Sequence, residues 1–248
     1  MLANNLNVRQ LHEQISVSQE PMGLGVLFNR APVERAAAGQ VVFFEGDRAD
    51  HVFAVLEGNL RICRLLHDGR RVITGFLAKG DIVGVSFKNR YLYSAEAIDD
   101  VSFQRRTKAS FEQQLRAQPH LRPVLLSQLR DEVAAAQDQM VLLSCKSAEE
   151  RLCSFLLNRL EKSASQVADP AAICLPMTRL DIADYVGLTI ETVSRTITKL
   201  VGMGVISVSG RYGIVVRNKS ALVHRAGESQ ADVDEDFRFD KTPMRHHH

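Results

Sequence analysis

Between Thr178 and Leu200 the chain reads TRLDIADYVGLTIETVSRTITKL, the stretch richest in residues able to do chemistry. Thr178 with Asp181 three residues on is a capping pair, in which a hydroxyl and a carboxylate each satisfy a backbone N–H at a helix start. Leu180, Ile182, Ala183 and Val186 form the expected inner face of that helix. Gly187 supplies a tight turn, and Thr189 caps a second helix with Ile190, Val193, Ile197 and Leu200 inward. Glu191, Ser194, Arg195, Thr198 and Lys199 then point outward. Residues of these types can read base edges: Arg195 as a bidentate donor to guanine, Glu191 as an acceptor for the cytosine amine, Ser194 as a small contact to a neighbouring base. The competing reading is a surface ion pair, because Glu191 and Arg195 stand i, i+4 and would support the helix by a few tenths of a kcal/mol. Their place near the start of a turn-preceded second helix favours groove reading, the arrangement of a helix-turn-helix.

Phosphate contact requires local positive charge, and Thr178–Arg225 carries seven basic residues against three acidic ones, a net of +4. Thr178, Arg179, Thr189, Lys199 and Arg211 are the candidate phosphate ligands. Residues 204–216 form an expected hairpin with Ser209–Tyr212 near its tip, a wing. From Glu228 to Arg245 six acidic residues outnumber three basic ones, which predicts a disordered acidic tail, 223–248, held off the DNA. His246–His248 reads as a tag remnant or a solvated end, and no metal site is expected.

Such a reading helix must be carried by something. The chain has 248 residues with 45% hydrophobic and 24% charged, ordinary globular usage with room for more than one core. No apolar run approaches a membrane span of roughly 20 residues, and the N-terminus lacks a basic region followed by an apolar stretch, so a cytoplasmic protein is expected. Cys63, Cys145, Cys153 and Cys174 are scattered without a Cys-x-x-Cys pair, against a zinc ribbon or a disulfide framework. No nucleophile signature, zinc-protease motif or phosphate-cradling loop is present, and no enzyme is expected.

Organisation follows from changes in periodicity. Residues 1–24, with only Leu6, Leu11 and Ile15 weakly periodic, are expected to be a mobile arm. Short β-rich runs separated by glycines, with an Asp68-Gly69 hairpin signal, predict an antiparallel β-barrel over 25–108, its last strand ending near Arg106. Residues 109–143 are helix formers apart from Pro119 and Pro123, with an apolar stripe Leu126, Leu129, Val133, Ala136, Met140, Leu143. Alternating gaps of three and four make that stripe a heptad seam, which suits a second copy of the helix in a homodimer; packing on the barrel is the alternative. Ser147-Ala148-Glu149-Glu150 is a capping box that opens a DNA-binding domain over 147–222. The expected class is α+β: an N-terminal barrel of the jelly-roll, cyclic-nucleotide-binding-like kind, a long dimerisation helix and a C-terminal winged helix-turn-helix. Cys174, four residues before Thr178, is a possible redox switch, with a small buried core residue as the alternative.

These motifs together resemble the cyclic-AMP-receptor-protein/FNR superfamily of bacterial regulators over roughly residues 25–222. The likeness is carried by Gly39-x-x-x-Phe43-x-Glu45-Gly46-Asp47, Gly58, Asp68-Gly69-Arg70, Gly80-Asp81-x-x-Gly84 and Leu188–Arg195. The Glu191-x-x-Ser194-Arg195 pattern is similar to the FNR type, implying TTGAT-like half-sites in an inverted repeat. Ile190 stands where the cyclic-AMP branch carries Arg, which disfavours a TGTGA-like half-site. Gly84-Val85 and Tyr93-Ser94 lack the carboxylate and guanidinium of cyclic-nucleotide binders, and the first cysteine, Cys63, comes too late for an FNR-type iron–sulfur cluster. With Tyr93–Ile98, the pattern resembles the FixK branch, which implies a homodimeric activator of microaerobic respiration and nitrogen-fixation genes, no cofactor, and palindromic double-stranded DNA and RNA polymerase as partners. The alternative is a regulator gated by a small molecule or haem in the barrel.

Overall fold

The computed structural model describes residues 23–86, 89–163, 169–210 and 212–228. Most of the expected arm, much of the expected tail and the terminal histidines lie outside the described residues, as does Arg211.

Eight strands build the N-terminal barrel: β1 (Val33–Ala36), β2 (Val41–Phe43), β3 (His51–Glu57), β4 (Leu60–Leu65), β5 (Arg71–Leu77), β6 (Ile82–Val83), β7 (Ser94–Ala97) and β8 (Val101–Thr107). They form two four-stranded antiparallel sheets ordered β1-β8-β3-β6 and β2-β7-β4-β5. Alternate side chains fill the space between them with Phe43, Phe53, Val55, Leu60, Ala95 and Phe103, and the Phe43 ring stacks on Tyr91 at 4.0 Å. Asp68-Gly69 closes the β4–β5 hairpin as its sequence predicts, with Gly69 at φ 85°. Gly58 turns β3 into β4 at φ 82°, where a Cβ would overlap the Asp100 carbonyl. Ahead of β1 a 3-10 turn, Leu24–Phe28, buries Leu24, Leu27 and Phe28 against Val52, Ala54 and Phe111. Leu24 therefore belongs to the folded body, not to an arm.

The single helical stretch expected over 109–143 is two helices. Thr107 caps α1 (Lys108–Ala117) by accepting from the Ser110 amide. Gln118 leaves the helical region (φ −125°, ψ 71°) because the ring of Pro119 crowds it, and a 3-10 turn, Pro119–Leu121, leads into α2 (Arg122–Cys145). Leu121, just before α2, and Leu142 near its far end are buried, whereas the stripe faces away: Leu126, Val133 and Met140 are 61%, 58% and 70% exposed, with Ala136 and Leu143 also exposed. Leu129 alone of the six is half-buried, beside Ile82, Val85 and Tyr93.

After the hinge residue Lys146, which alone separates α2 from the next cap, Ser147 and Glu150 exchange the expected capping hydrogen bonds (2.7 and 3.4 Å) at the start of α3 (Ala148–Ser163). Next come β9 (Ala172–Cys174), α4 (Arg179–Val186), α5 (Ile190–Gly202), β10 (Ile206–Ser209), β11 (Gly213–Val216) and α6 (Lys219–Arg225). The hairpin gains β9 as a third strand in the order β10-β11-β9. α6 carries Leu222, Val223 and Ala226 into the core, so the domain runs past the expected boundary at 222, and Glu228 pairs with Lys146 at 2.9 Å. Leu152, Leu156, Ile173, Ile182, Val193, Leu200 and Ile214 fill this core, which Phe76 and Ile98 of the barrel join. Among the described residues no helix is long and apolar enough to cross a membrane.

Candidate nucleic-acid interface

The two helices that present the outward residues form as their local chemistry requires. Thr178 Oγ1 accepts from the Asp181 amide at 3.1 Å, while Asp181 Oδ2 accepts from the Thr178 amide at 3.0 Å and from its hydroxyl at 2.7 Å. Gly187 ends α4 in the left-handed region (φ 65°), its amide donating to the Ala183 carbonyl. Leu188 follows, and Thr189 caps α5 by accepting from the Thr192 amide at 3.2 Å. Ile182, Ala183 and Val186 are buried as expected, but Leu180 is 49% exposed. Ile190 likewise stands 39% exposed in the first turn of α5. The inward face of α5 is Val193, Thr196, Ile197 and Leu200, and Thr196 is tolerated there because its hydroxyl donates to the Thr192 carbonyl at 2.8 Å. Leu180 and Ile190 each sit within a helix's first two residues, where periodicity is a weak guide to facing.

Glu191, Ser194 and Arg195 are exposed together on the outer face of α5. Hydrogen bonds from its own amide and from the Thr189 side chain hold the Glu191 carboxyl below its ordinary range, with the Arg195 charge a smaller influence. The hydroxyl of Thr198 donates back to the Ser194 carbonyl at 3.0 Å, so it points along the helix.

The candidate phosphate ligands are less uniform. Thr178 and Thr189 spend their hydroxyls on caps. Arg179 is half-buried, its guanidinium pushed below the ordinary value by desolvation, and its Nη1 has no hydrogen-bond partner among the described residues. Lys199 is paired with Glu149 at the start of α3, and Arg225 holds the other oxygen of the same carboxylate.

Sequence periodicity gave no sign of the groups that hold this unit in place. Arg151 of α3 donates through Nε to the Lys146 carbonyl (2.9 Å), through Nη2 to Leu143 (2.9 Å) and through Nη1 to Val186 and Gly187 (each 3.4 Å). One side chain thus ties the end of α2, the hinge and the α4–α5 turn. Gln139 Nε2 donates to the Tyr185 carbonyl at 2.6 Å. On the opposite side, Arg61 and Arg71 of the barrel reach Asp181 at 3.1 and 2.7 Å, and Arg71 also reaches Asp184 at 2.8 Å. An arginine spaced as a helix residue reads as a surface charge, and partners more than a hundred positions away leave no local pattern.

Cys174 is exposed at the end of β9, which removes the buried-core account of it; Cys145 is exposed as well. Cys63 and Cys153 are buried, and burial pushes the Cys153 thiol up to about 12. Among the described residues no group of three or more His, Cys, Asp or Glu is placed to hold a metal ion. Between the barrel and α2, the space bounded by Ile82, Val85, Tyr93, Leu125 and Glu132 is about 20 Å³, and burial pushes the Tyr93 phenol up to about 12. A larger cavity of about 360 Å³ opens toward α3, lined by Thr74, Asp81, Tyr93, Glu132, Arg159 and Tyr185 among others.

Comparison with known proteins gives matches to both halves. Residues 33–118 match the cyclic nucleotide-binding domain family and residues 150–225 the Crp-like helix-turn-helix domain family. The nitrogen fixation regulation protein FixK of Bradyrhizobium diazoefficiens is 41% identical over 172 residues, 69% of this chain and 73% of that protein. The transcriptional activatory protein AadR of Rhodopseudomonas palustris is 42% identical over 165 residues, 65% of this chain and 67% of that protein. The structure of FixK2 from Bradyrhizobium japonicum superposes with a TM-score of 0.73 at 33% identity, covering 80% of this chain and 98% of that one.

Proposed function

Because the chain belongs to the CRP/FNR family of transcription regulators, on its FixK-like branch, we propose that it is a homodimeric activator reading TTGAT-like inverted repeats without a bound cofactor. The observation that carries the reading is the outer face of α5, where Glu191, Ser194 and Arg195 stand exposed on a capped helix behind a left-handed glycine turn. Arg195 donates to guanine O6 and N7, Glu191 accepts from cytosine N4, and Ser194 contacts the neighbouring base. The amides at the start of α4, with Thr178 and Arg179, and those at the start of α5, with Thr189, face phosphate; Lys199 joins them by exchanging Glu149 for a phosphate oxygen, and Arg211 at the wing completes the set.

Dimerisation uses the exposed stripe Leu126, Leu129, Val133, Ala136, Met140 and Leu143 of α2, whose burial against a second copy removes apolar surface the barrel leaves uncovered. The chain accordingly works as a barrel to Thr107, a dimer helix and a DNA-reading domain from Ser147 through α6, acting in the cytoplasm with RNA polymerase as its protein partner. Its targets are nitrogen-fixation genes, as the names of the FixK relatives suggest, together with the microaerobic respiration genes that the FixK resemblance implies. Cofactor independence rests on Gly84-Val85 and Tyr93-Ser94, which lack the carboxylate and guanidinium that hold a cyclic nucleotide in this family. Cys174, exposed four residues before the α4 cap, is a redox switch in this reading: oxidation to a charged acid repels the DNA backbone.

Fluorescence anisotropy of the purified protein on a TTGAT/ATCAA palindrome, against a scrambled duplex and without ligand, tests the reading; equal affinity for both duplexes overturns it. The cavity of about 360 Å³ supports a second reading, a ligand-gated regulator, in which the isolated protein binds the palindrome weakly and a small molecule raises its melting temperature.

A further inference from the structure

Asp181 is 1% exposed and divides its two oxygens between two structures. Oδ2 serves its own helix as the α4 cap, accepting from the amide and hydroxyl of Thr178. Oδ1 serves the barrel, accepting from Arg61 Nη1 at 3.1 Å and from Arg71 Nη2 at 2.7 Å. A cap needs only the first set; two guanidiniums on the second oxygen are in excess of any local requirement. Both arginines lie on the β4–β5 hairpin, and each has a further anchor. Arg61 makes a bidentate pair with Glu96 of β7, its Nε at 3.1 Å, and Arg71 Nε donates to Asp184 at 2.9 Å. All five side chains are a quarter exposed or less, so solvent screens them little.

Beside the charges sits an apolar plug. Phe76 of β5 packs against the Tyr185 ring (5.3 Å) and the Phe155 ring (6.4 Å), which touch each other at 5.6 Å. An aromatic contact of this kind tolerates rotation about the plug, whereas forked guanidinium–carboxylate pairs do not, and buried ion pairs are better at specifying one arrangement than at adding stability. The far end of α4 is held separately by Gln139 and Arg151. Only Gly187, Leu188 and Thr189 separate α4 from α5, so the direction of the reading helix is inherited from α4. In this docked arrangement Glu191, Ser194 and Arg195 are uncovered.

We propose that Arg61 and Arg71 are positioning residues for DNA reading: through Asp181 and Asp184 they lock α4 to the barrel and thereby aim α5 in the DNA-competent direction. The barrel's own hairpin then does the aiming. The proposal rests on the DNA-reading function above, and it assigns the intact cluster to the binding state because docking leaves the reading face free.

The test is a charge swap in the full-length protein. Arg71→Asp alone should weaken binding to the palindrome by about tenfold, leave binding to scrambled DNA unchanged, and speed hydrogen exchange across Arg179–Val186. Adding Asp184→Arg to the same chain should restore both affinity and protection, which a general loss of folding would not allow. Arg61→Gln with Arg71→Gln is the milder variant, should Arg71→Asp not fold, and should weaken selective binding in the same direction. Unchanged affinity in a folded variant, failure of the swap to restore it, or a gain in affinity, which would mark the cluster as a restraint, overturns the proposal. A wild type with no preference for the palindrome overturns the DNA reading itself, whereas a selective wild type whose Arg71 variants stay selective overturns only the positioning role.

Discussion

Replacing Arg195 by alanine should cost about 1–3 kcal/mol of affinity for the palindrome and relax discrimination at the guanine it contacts, read by anisotropy on single-base variants of the duplex. Lys199→Ala should instead weaken all sequences alike and lower the salt slope of binding by about one. Thiol chemistry separates the four cysteines: brief alkylation of the native protein should label Cys145 and Cys174 and spare Cys63 and Cys153, counted by mass spectrometry. Burial holds the Cys153 thiol at about 12, so it stays protonated and unreactive at neutral pH. If Cys174 is the switch, peroxide should release DNA from the wild type and not from Cys174→Ser. At this scale the outward placement of Glu191, Ser194 and Arg195 was legible, because a cap, a glycine and a helical period place them without help from the rest of the chain. The pairing of Lys199 with Glu149 was not, since a sequence names donors without naming their partners.

Gly187 lies between α4 and α5 at φ 65°, and a Cβ there would stand 3.0 Å from Leu143 Cδ2. Gly187→Ala should therefore destabilise the DNA-reading domain by about 1–2 kcal/mol from the left-handed backbone alone, with the contact adding to it, measured by thermal melting. The clamp between α3 and α5 carries a pH signature. The Lys199 hydrogen bond first, then that of Arg225, holds the Glu149 carboxyl below its ordinary value, so its stabilisation is present above the ordinary carboxylate range and is lost as pH falls through the lowered value. Because Lys199 is more than half exposed, that contribution is no more than about 1 kcal/mol, and Glu149→Gln should remove it from the acid limb of the stability curve. On α2, Val133→Glu and Met140→Glu each place like charges across a two-fold seam and should convert the dimer to a monomer in light scattering. Helix and hairpin signals were readable where apolar period and turn chemistry agree, as at Asp68-Gly69 and Ser147–Glu150. The break at Pro119 was readable as punctuation only, and β9, three residues long, is too short for any period to announce it.

For the whole molecule, two bodies and their order follow from composition and period, but their docking does not. Arg61 and Asp181 are far apart along the chain, and each has an innocent local explanation, a strand-edge cation and a helix cap. Phe76 likewise reads as one more barrel residue, although it joins the other core. The docked pair of domains also makes a salt prediction: affinity for DNA should fall steeply as salt rises, while hydrogen-exchange protection across α4 should change little, because counterions reach the phosphates and not the shielded arginines.

On the proposed positioning role, the contacts that aim α5 fall on Asp181, Asp184 and the carbonyls of Tyr185, Val186 and Gly187, and none of them falls on Glu191, Ser194 or Arg195. Address and mounting are therefore written in different residues. On the proposed reading, exchanging residues 191, 194 and 195 should retarget the protein to other half-sites with its aim intact, so that within such a scaffold new regulons would arise by substitution at three exposed positions.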